Sequence, residues 1–188
     1  MNLKKAFALA LNAVTVVYTI WYMHYGQPFE NNGALSKIGL RHHGLFVIWG
    51  ILTMLNLSLG IICAYKKLTK TKIYIPLLAV AGLGMLLTLC FDFDFDKKPD
   101  YYLHCAGSLI FSAVMGITIF LLFFLCRKAS KIYLGFMITA AIILLGDLVL
   151  LLIFKETGFI EVFPIFSGYI LLGITNLRRD KIEAYNQA

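Results

Sequence analysis

The sequence predicts an all-α, polytopic membrane protein with six transmembrane helices and both termini in the cytoplasm. Three observations carry that expectation. Six apolar runs each approach the length of a membrane crossing, 60% of the 188 residues are hydrophobic with a mean hydropathy of +0.81, and the cations gather at the ends of the runs. A soluble domain of this size has no means of hiding so much apolar surface. The formal net charge of +7 would suit nucleic acid, but cations that flank apolar segments read as juxtamembrane anchors. The expected partner is therefore the lipid bilayer and not nucleic acid; protein partners cannot be read from the chain. Linkers rich in Pro or Ser are lacking, so 1–188 reads as one domain.

The runs fall at 6–22, 44–65, 73–91, 103–126, 132–154 and 160–177. Each is near the ~20 residues that cross ~30 Å of hydrocarbon at about 1.5 Å per residue. Helix is the one open-ended form that satisfies its own backbone in lipid. The first run carries Ala-x-Ala at Ala8 and Ala10, inside the apolar stretch rather than after it, so a retained helix is expected and not a cleaved signal. Asn12 and Asn56 in the first two runs suit hydrogen bonds between helices. In the fourth, Ser108, Ser112 and Gly116 form a small-xxx-small stripe suited to close helix packing, which Gly82 and Gly84 of the third could share. The fifth carries Asp147, an acid that must face protein or water because a central Asp costs about 2.5–3.5 kcal/mol in lipid. Both a functional role and a structural hydrogen bond fit it. Pro164 lies near the outer start of the sixth run, where a first-turn proline is tolerated.

Orientation follows from the short loops. With the N-terminus inside, the inner side collects Lys4, Lys5, Lys66, Lys67, Lys70, Lys72, Arg127, Lys128, Lys131, Arg178, Arg179 and Lys181, and the outer side Lys37, Arg41, Lys97, Lys98 and Lys155. Twelve against five is a positive-inside bias. All four histidines (His24, His42, His43 and His104) then lie at the outer side, with Asp92, Asp94, Asp96, Asp100, Glu30, Glu156 and Glu161. All four histidines and seven of the ten acids, the groups that could bind metal or move a proton, are thus at one rim.

The densest of these stretches is FDFDFDKKPDYYLHCAG, residues 91–107, with four of the ten acids and one histidine. Extended, its first half puts Asp92, Asp94 and Asp96 on one face; helical, it pairs Asp92 with Asp96. His104 opens the next helix and is close enough in sequence to converge on them. The expected pocket is lined by Asp92, Asp94, Asp96, His104 and one of His42 and His43, with Asp147 beneath. His104, Asp92 and Asp94 are its candidate catalytic groups, and Asp96, His42, His43 and Asp147 its candidate substrate-binding groups. Asp92, Asp96 and His104 would suit a divalent metal ion as cofactor. The plainer alternative is a solvated turn whose acids keep an outer loop polar, since no HxxxH, HExxH or CxxC spacing is present. Adjacent residues on a helix point about 100° apart, so at most one of His42 and His43 could share a site with His104. Cys90 and Cys105 flank the same loop, where a disulfide or two free thiols would both be conceivable. A two-haem carrier would need histidines toward both faces, and phosphate loops and nucleophile elbows are missing.

Two stretches resemble a known family. LSKIGLRHHGLFVIWGILTMLNLSLGIICAYKKL, residues 35–68, is similar to the segment opening the second helix of the Frag1/DRAM/Sfk1 proteins, with Ser36 and Gly39 matching a Ser-x-x-Gly. GMLLTLCFDFDFDKKPDYYLHCAGSLIF, residues 84–111, resembles the junction of the third and fourth helices in that family and its bacterial relatives of unknown function. His104 and Gly107 fit a His-x-x-Gly there, and Asp92 or Asp94 its acid. The pair His42-His43 and the triple Phe-Asp repeat depart from the pattern. The resemblance implies membrane-lipid biology, without an accepted mechanism. The resulting expectation is an outward pocket that binds or processes a lipid headgroup or lipid-linked substrate. A substrate-binding subunit of a small-solute (vitamin or metal) transporter and a non-catalytic membrane scaffold are the alternatives.

Overall fold

The computed structural model describes residues 3–178, with side chains from residue 7 onward. Arg179 and Lys181 of the inner cation set lie outside the described residues. Every regular element among those residues is helical: α1 (Leu3–Met23), a single 3-10 turn (Asn31–Gly33), α2 (Leu35–Arg41), α3 (His43–Leu68), α4 (Tyr74–Cys90), α5 (Lys98–Cys126), α6 (Lys131–Phe154) and α7 (Gly158–Leu177). The six apolar runs are thus the six long helices. Four of them, α3, α5, α6 and α7, are long and apolar enough to cross a membrane; the apolar parts of α1 and α4 are shorter.

Local chemistry sets several ends. Ser130 Oγ accepts from the N–H of Ile132 at 3.3 Å and Thr157 Oγ1 from that of Ile160 at 3.2 Å, capping α6 and α7. Because α7 begins at Gly158, Pro164 lies within the helix and not in its first turn. Lacking an N–H, it leaves the carbonyl of Ile160 without its helical donor.

Helix α3 is the hub, packing on α1, α2, α4, α5 and α7, while α4 and α5 form the tightest seam. A Cβ on Gly107 would stand 2.7 Å from the carbonyl oxygen of Gly84 and from the backbone N of Thr88, so only glycine permits this approach. Gly84 therefore does share in close helix packing, with Gly107 as its partner. Gly116 of the small-residue stripe instead meets the side chain of Leu144 on α6. Helix α6 is peripheral: it buries only Tyr133 and Ala140 and leaves Ile142, Leu145, Leu148, Val149, Leu152 and Ile153 exposed. A rim of exposed aliphatic side chains is what lipid, rather than water, would solvate.

The sequence reading missed α2. The hydroxyl of Tyr22 donates to the carbonyl of Leu35 at 3.0 Å, and the N–H of Phe159 to that of Pro28 at 2.8 Å. These bonds hold residues 24–42 over one end of the bundle, and the N–H of Leu35 donates to Glu161 in the first turn of α7. Deeper in the bundle, Tyr169 bonds Thr53 at 3.2 Å, and Tyr65 donates to the carbonyl of Thr118 at 2.9 Å.

Candidate functional site

His104 is the centre of a buried chain of hydrogen bonds. It projects from the second turn of α5, is 2% exposed, and lies between the rings of Phe46 (stacked, 5.9 Å) and Phe93 (edge-on, 5.2 Å). Its Nδ1 is 2.9 Å from the carbonyl oxygen of Phe91, and its Nε2 is 3.0 Å from Ser36 Oγ. Ser36 Oγ in turn is 3.2 Å from Glu161 Oε1, while Glu161 Oε2 accepts from the N–H of Leu35. Glu161 thus ties α7 to the first turn of α2, where a carboxylate complements the helix N-terminus.

Proton counting defines what this chain can do. A carbonyl only accepts, so Nδ1 must carry hydrogen. The hydroxyl of Ser36 has one hydrogen for two contacts, so the second contact needs a hydrogen from Nε2 or from Glu161. The set is satisfied as imidazolium with carboxylate or as imidazole with carboxylic acid, and a shift through Ser36 converts one into the other. Such a set can act as an acid–base relay, and its hydroxyl also lies within reach of a base.

The relay forms one wall of a partly open cavity of about 140 Å³ lined by residues of α2, α3, α4, α5, α6 and α7. Asp147 of α6 lines the same space, as do Glu156, Trp49 and Ser108. Asp147 Oδ1 and Trp49 Nε1 are buried and have no hydrogen-bond partner. Burial pushes the carboxyl of Glu156, in the turn between α6 and α7, above its ordinary value, with Lys37 opposing.

The predicted pocket is therefore divided. His104 and Asp147 share the cavity, but the aspartates of the Phe-Asp repeat do not line it. Residues 92–94 have no regular structure and 95–96 form a turn, with Phe93 buried and Asp92, Asp94 and Asp96 at least partly exposed. Asp92 lies 3.4 Å from Lys97 Nζ and 4.0 Å from His43 Nδ1; Asp94 lies 3.9 Å from Lys97 Nζ and accepts from the N–H of Asp96 at 3.0 Å. This is the solvated turn of the plainer alternative. His42, Asp94 and Asp96 border a separate outer hollow beside Lys37 and Arg41, with the ring of His42 4.8 Å from that of Tyr25. Asp92, Asp96 and His104 do not assemble as ligands: among the described residues no group of three or more His, Cys, Asp or Glu side chains could hold a metal ion. Phe93 takes the buried place against His104, while the aspartates on either side of it lie beside Lys97 at the surface. Cys90 and Cys105 are free thiols.

Sequence reasoning missed Glu161 as a site residue and reached Ser36 only through the resemblance. Glu161 reads as an ordinary acid in the first turn of a helix. The available signal was its position inside an apolar run, as with Asp147.

Compared with family models, with curated proteins and with solved structures, the chain matches none.

Proposed function

We propose that the chain crosses the membrane six times with both termini in the cytoplasm, and that its outer cavity binds or processes a lipid headgroup or lipid-linked substrate. The observation that carries this reading is the junction of a polar space with an apolar one. The cavity shares Phe111, Ser112, Pro164 and Ile165 with an open groove between α5, α6 and α7, lined further by Met115, Ile119, Leu144 and Leu171. A polar chamber continuous with an apolar groove, beside a helix that is otherwise lipid-exposed, suits an amphiphile with its head inward and its chain between helices. The relay of His104, Ser36 and Glu161 would exchange a proton with the bound head.

The resemblance to the Frag1/DRAM/Sfk1 proteins is part of the same proposal. In its support, Ser36 and His104 bond each other, Gly107 is required by the backbone of α4, and a Cβ on Gly39 would press on the ring of Phe46. Native mass spectrometry of the chain purified in mild detergent tests the reading. Wild type is expected to retain a lipid that Ser36→Ala and His104→Ala lose. Retention undiminished by both substitutions, or none in wild type, would remove the cavity from consideration.

A further inference from the structure

The charge balance of the cavity is opposite to that of the chain. The sequence carries a formal net charge of +7, yet the wall holds Asp147, Glu156 and Glu161 and, among the described residues, neither lysine nor arginine. Two of these acids are engaged. Glu161 is bonded to α2, and Glu156 faces Lys37 across the neighbouring outer hollow. Asp147 alone presents a buried oxygen with no partner. A second orphan lies on the same wall: Trp49 is 6% exposed, and its indole N–H donates to nothing.

One acceptor and one donor, both buried and both unmet, define a ligand by complement, because each costs free energy until it is paired. A phosphate or carboxylate head would meet three acids and neither lysine nor arginine. A neutral alcohol would leave the aspartate in a poorly solvated place. An ammonium group would pair with Asp147, in a space also lined by Phe46, Trp49 and Phe93. The N–H of Trp49 then requires an oxygen on the same head.

We infer that the cavity selects a long-chain amine carrying a neighbouring hydroxyl or carbonyl oxygen, with its ammonium on Asp147, its oxygen on Trp49 Nε1–H and its chain in the groove past Ser112 and Pro164. This rests on the amphiphile reading given above and narrows it to one head chemistry.

The chain has two tryptophans, and Trp21 is an exposed outer residue away from the cavity, so Trp21→Phe leaves Trp49 as the single indole reporter. That variant, purified in neutral detergent, is titrated with a twelve-carbon amino alcohol, the matching diol and dodecyl phosphate. The amino alcohol is expected to change Trp49 emission saturably and to bind at least about tenfold more tightly than the other two. Asp147→Asn is expected to abolish that preference and Asp147→Glu to keep it. If the diol or the phosphate binds as tightly, or the preference survives Asp147→Asn, the amine assignment fails while the amphiphile reading stands. If none of the three saturates, both fail. The comparison of heads on the Asp147 protein remains decisive should Asp147→Asn fold poorly.

Discussion

At the scale of single residues, Ser36 decides most. Its hydroxyl is, among the described residues, the sole bridge between His104 and Glu161, two groups on different helices and far apart in sequence. Ser36→Ala strands a ring nitrogen and a carboxyl oxygen in a buried place, and such orphans cost about 1–3 kcal/mol. A drop in thermal stability of that order in detergent is the expected outcome; a melting temperature equal to wild type would mean that the bridge is not made. Glu156 gives a pH-dependent counterpart. Its carboxyl is raised by burial, so its protonated form favours the fold. That contribution is present below the ordinary glutamate value and is lost as pH rises through the folded one. Glu156→Gln keeps the neutral form at every pH. Its melting temperature relative to wild type should therefore increase from about pH 4 to about pH 8, and a difference that stays constant would count against the raised carboxyl.

At the scale of elements, the seam between α4 and α5 positions the site, because His104 lies one turn from Gly107. Adding a methyl to Gly107 drives it into the backbone of α4, which cannot step aside as a side chain can. Gly107→Ala is expected to cost roughly 1–3 kcal/mol by overpacking. Gly116→Ala meets only the flexible side chain of Leu144 on the peripheral α6 and should cost less, while narrowing the groove. Thermal melts of the two variants side by side test the order, and equal losses would contradict a backbone seam. The turn from α6 to α7 makes a different prediction. Lys155 has φ 60° and ψ −162°, a region that side chains avoid and glycine occupies freely. Lys155→Gly should stabilise the protein by on the order of 1 kcal/mol, measured in the same way.

At the scale of the molecule, the proposed topology puts the loop after α4 on one side of the membrane and the loop after α3 on the other. Of single cysteines at Phe95 and at Lys70, in a chain cleared of its own four thiols, the first should react with an impermeant reagent in intact cells and the second only after the cells are opened. Labelling of both from the same side would overturn the six-crossing arrangement. Helix α4 is the critical span, since its 17 residues at about 1.5 Å each cover only ~25 Å and need a locally thinned bilayer or polar flanks to cross.

The helices were legible in the sequence because surroundings without water, as in lipid, would impose a simple rule. Every backbone group must be satisfied within its own segment, so long apolar runs between cations become helices of nearly the same bounds. The run 73–91 became Tyr74–Cys90, and 132–154 became Lys131–Phe154. Local composition also marked His104 and Asp147, as ionisable groups in apolar surroundings. The rest of the site was decided by packing over long distances in sequence. Ser36 meets Glu161 across 125 positions and His104 across 68, and no local pattern encodes a contact of that range. The aspartates show the converse. Their spacing invites a cluster with His104, but the gain from burying Phe93 against that ring outweighs it and turns the carboxylates to water. Patterning along the chain determined which segments are helices, while the tertiary structure alone decided which polar groups are shut in together, because that depends on which faces the helices present to one another.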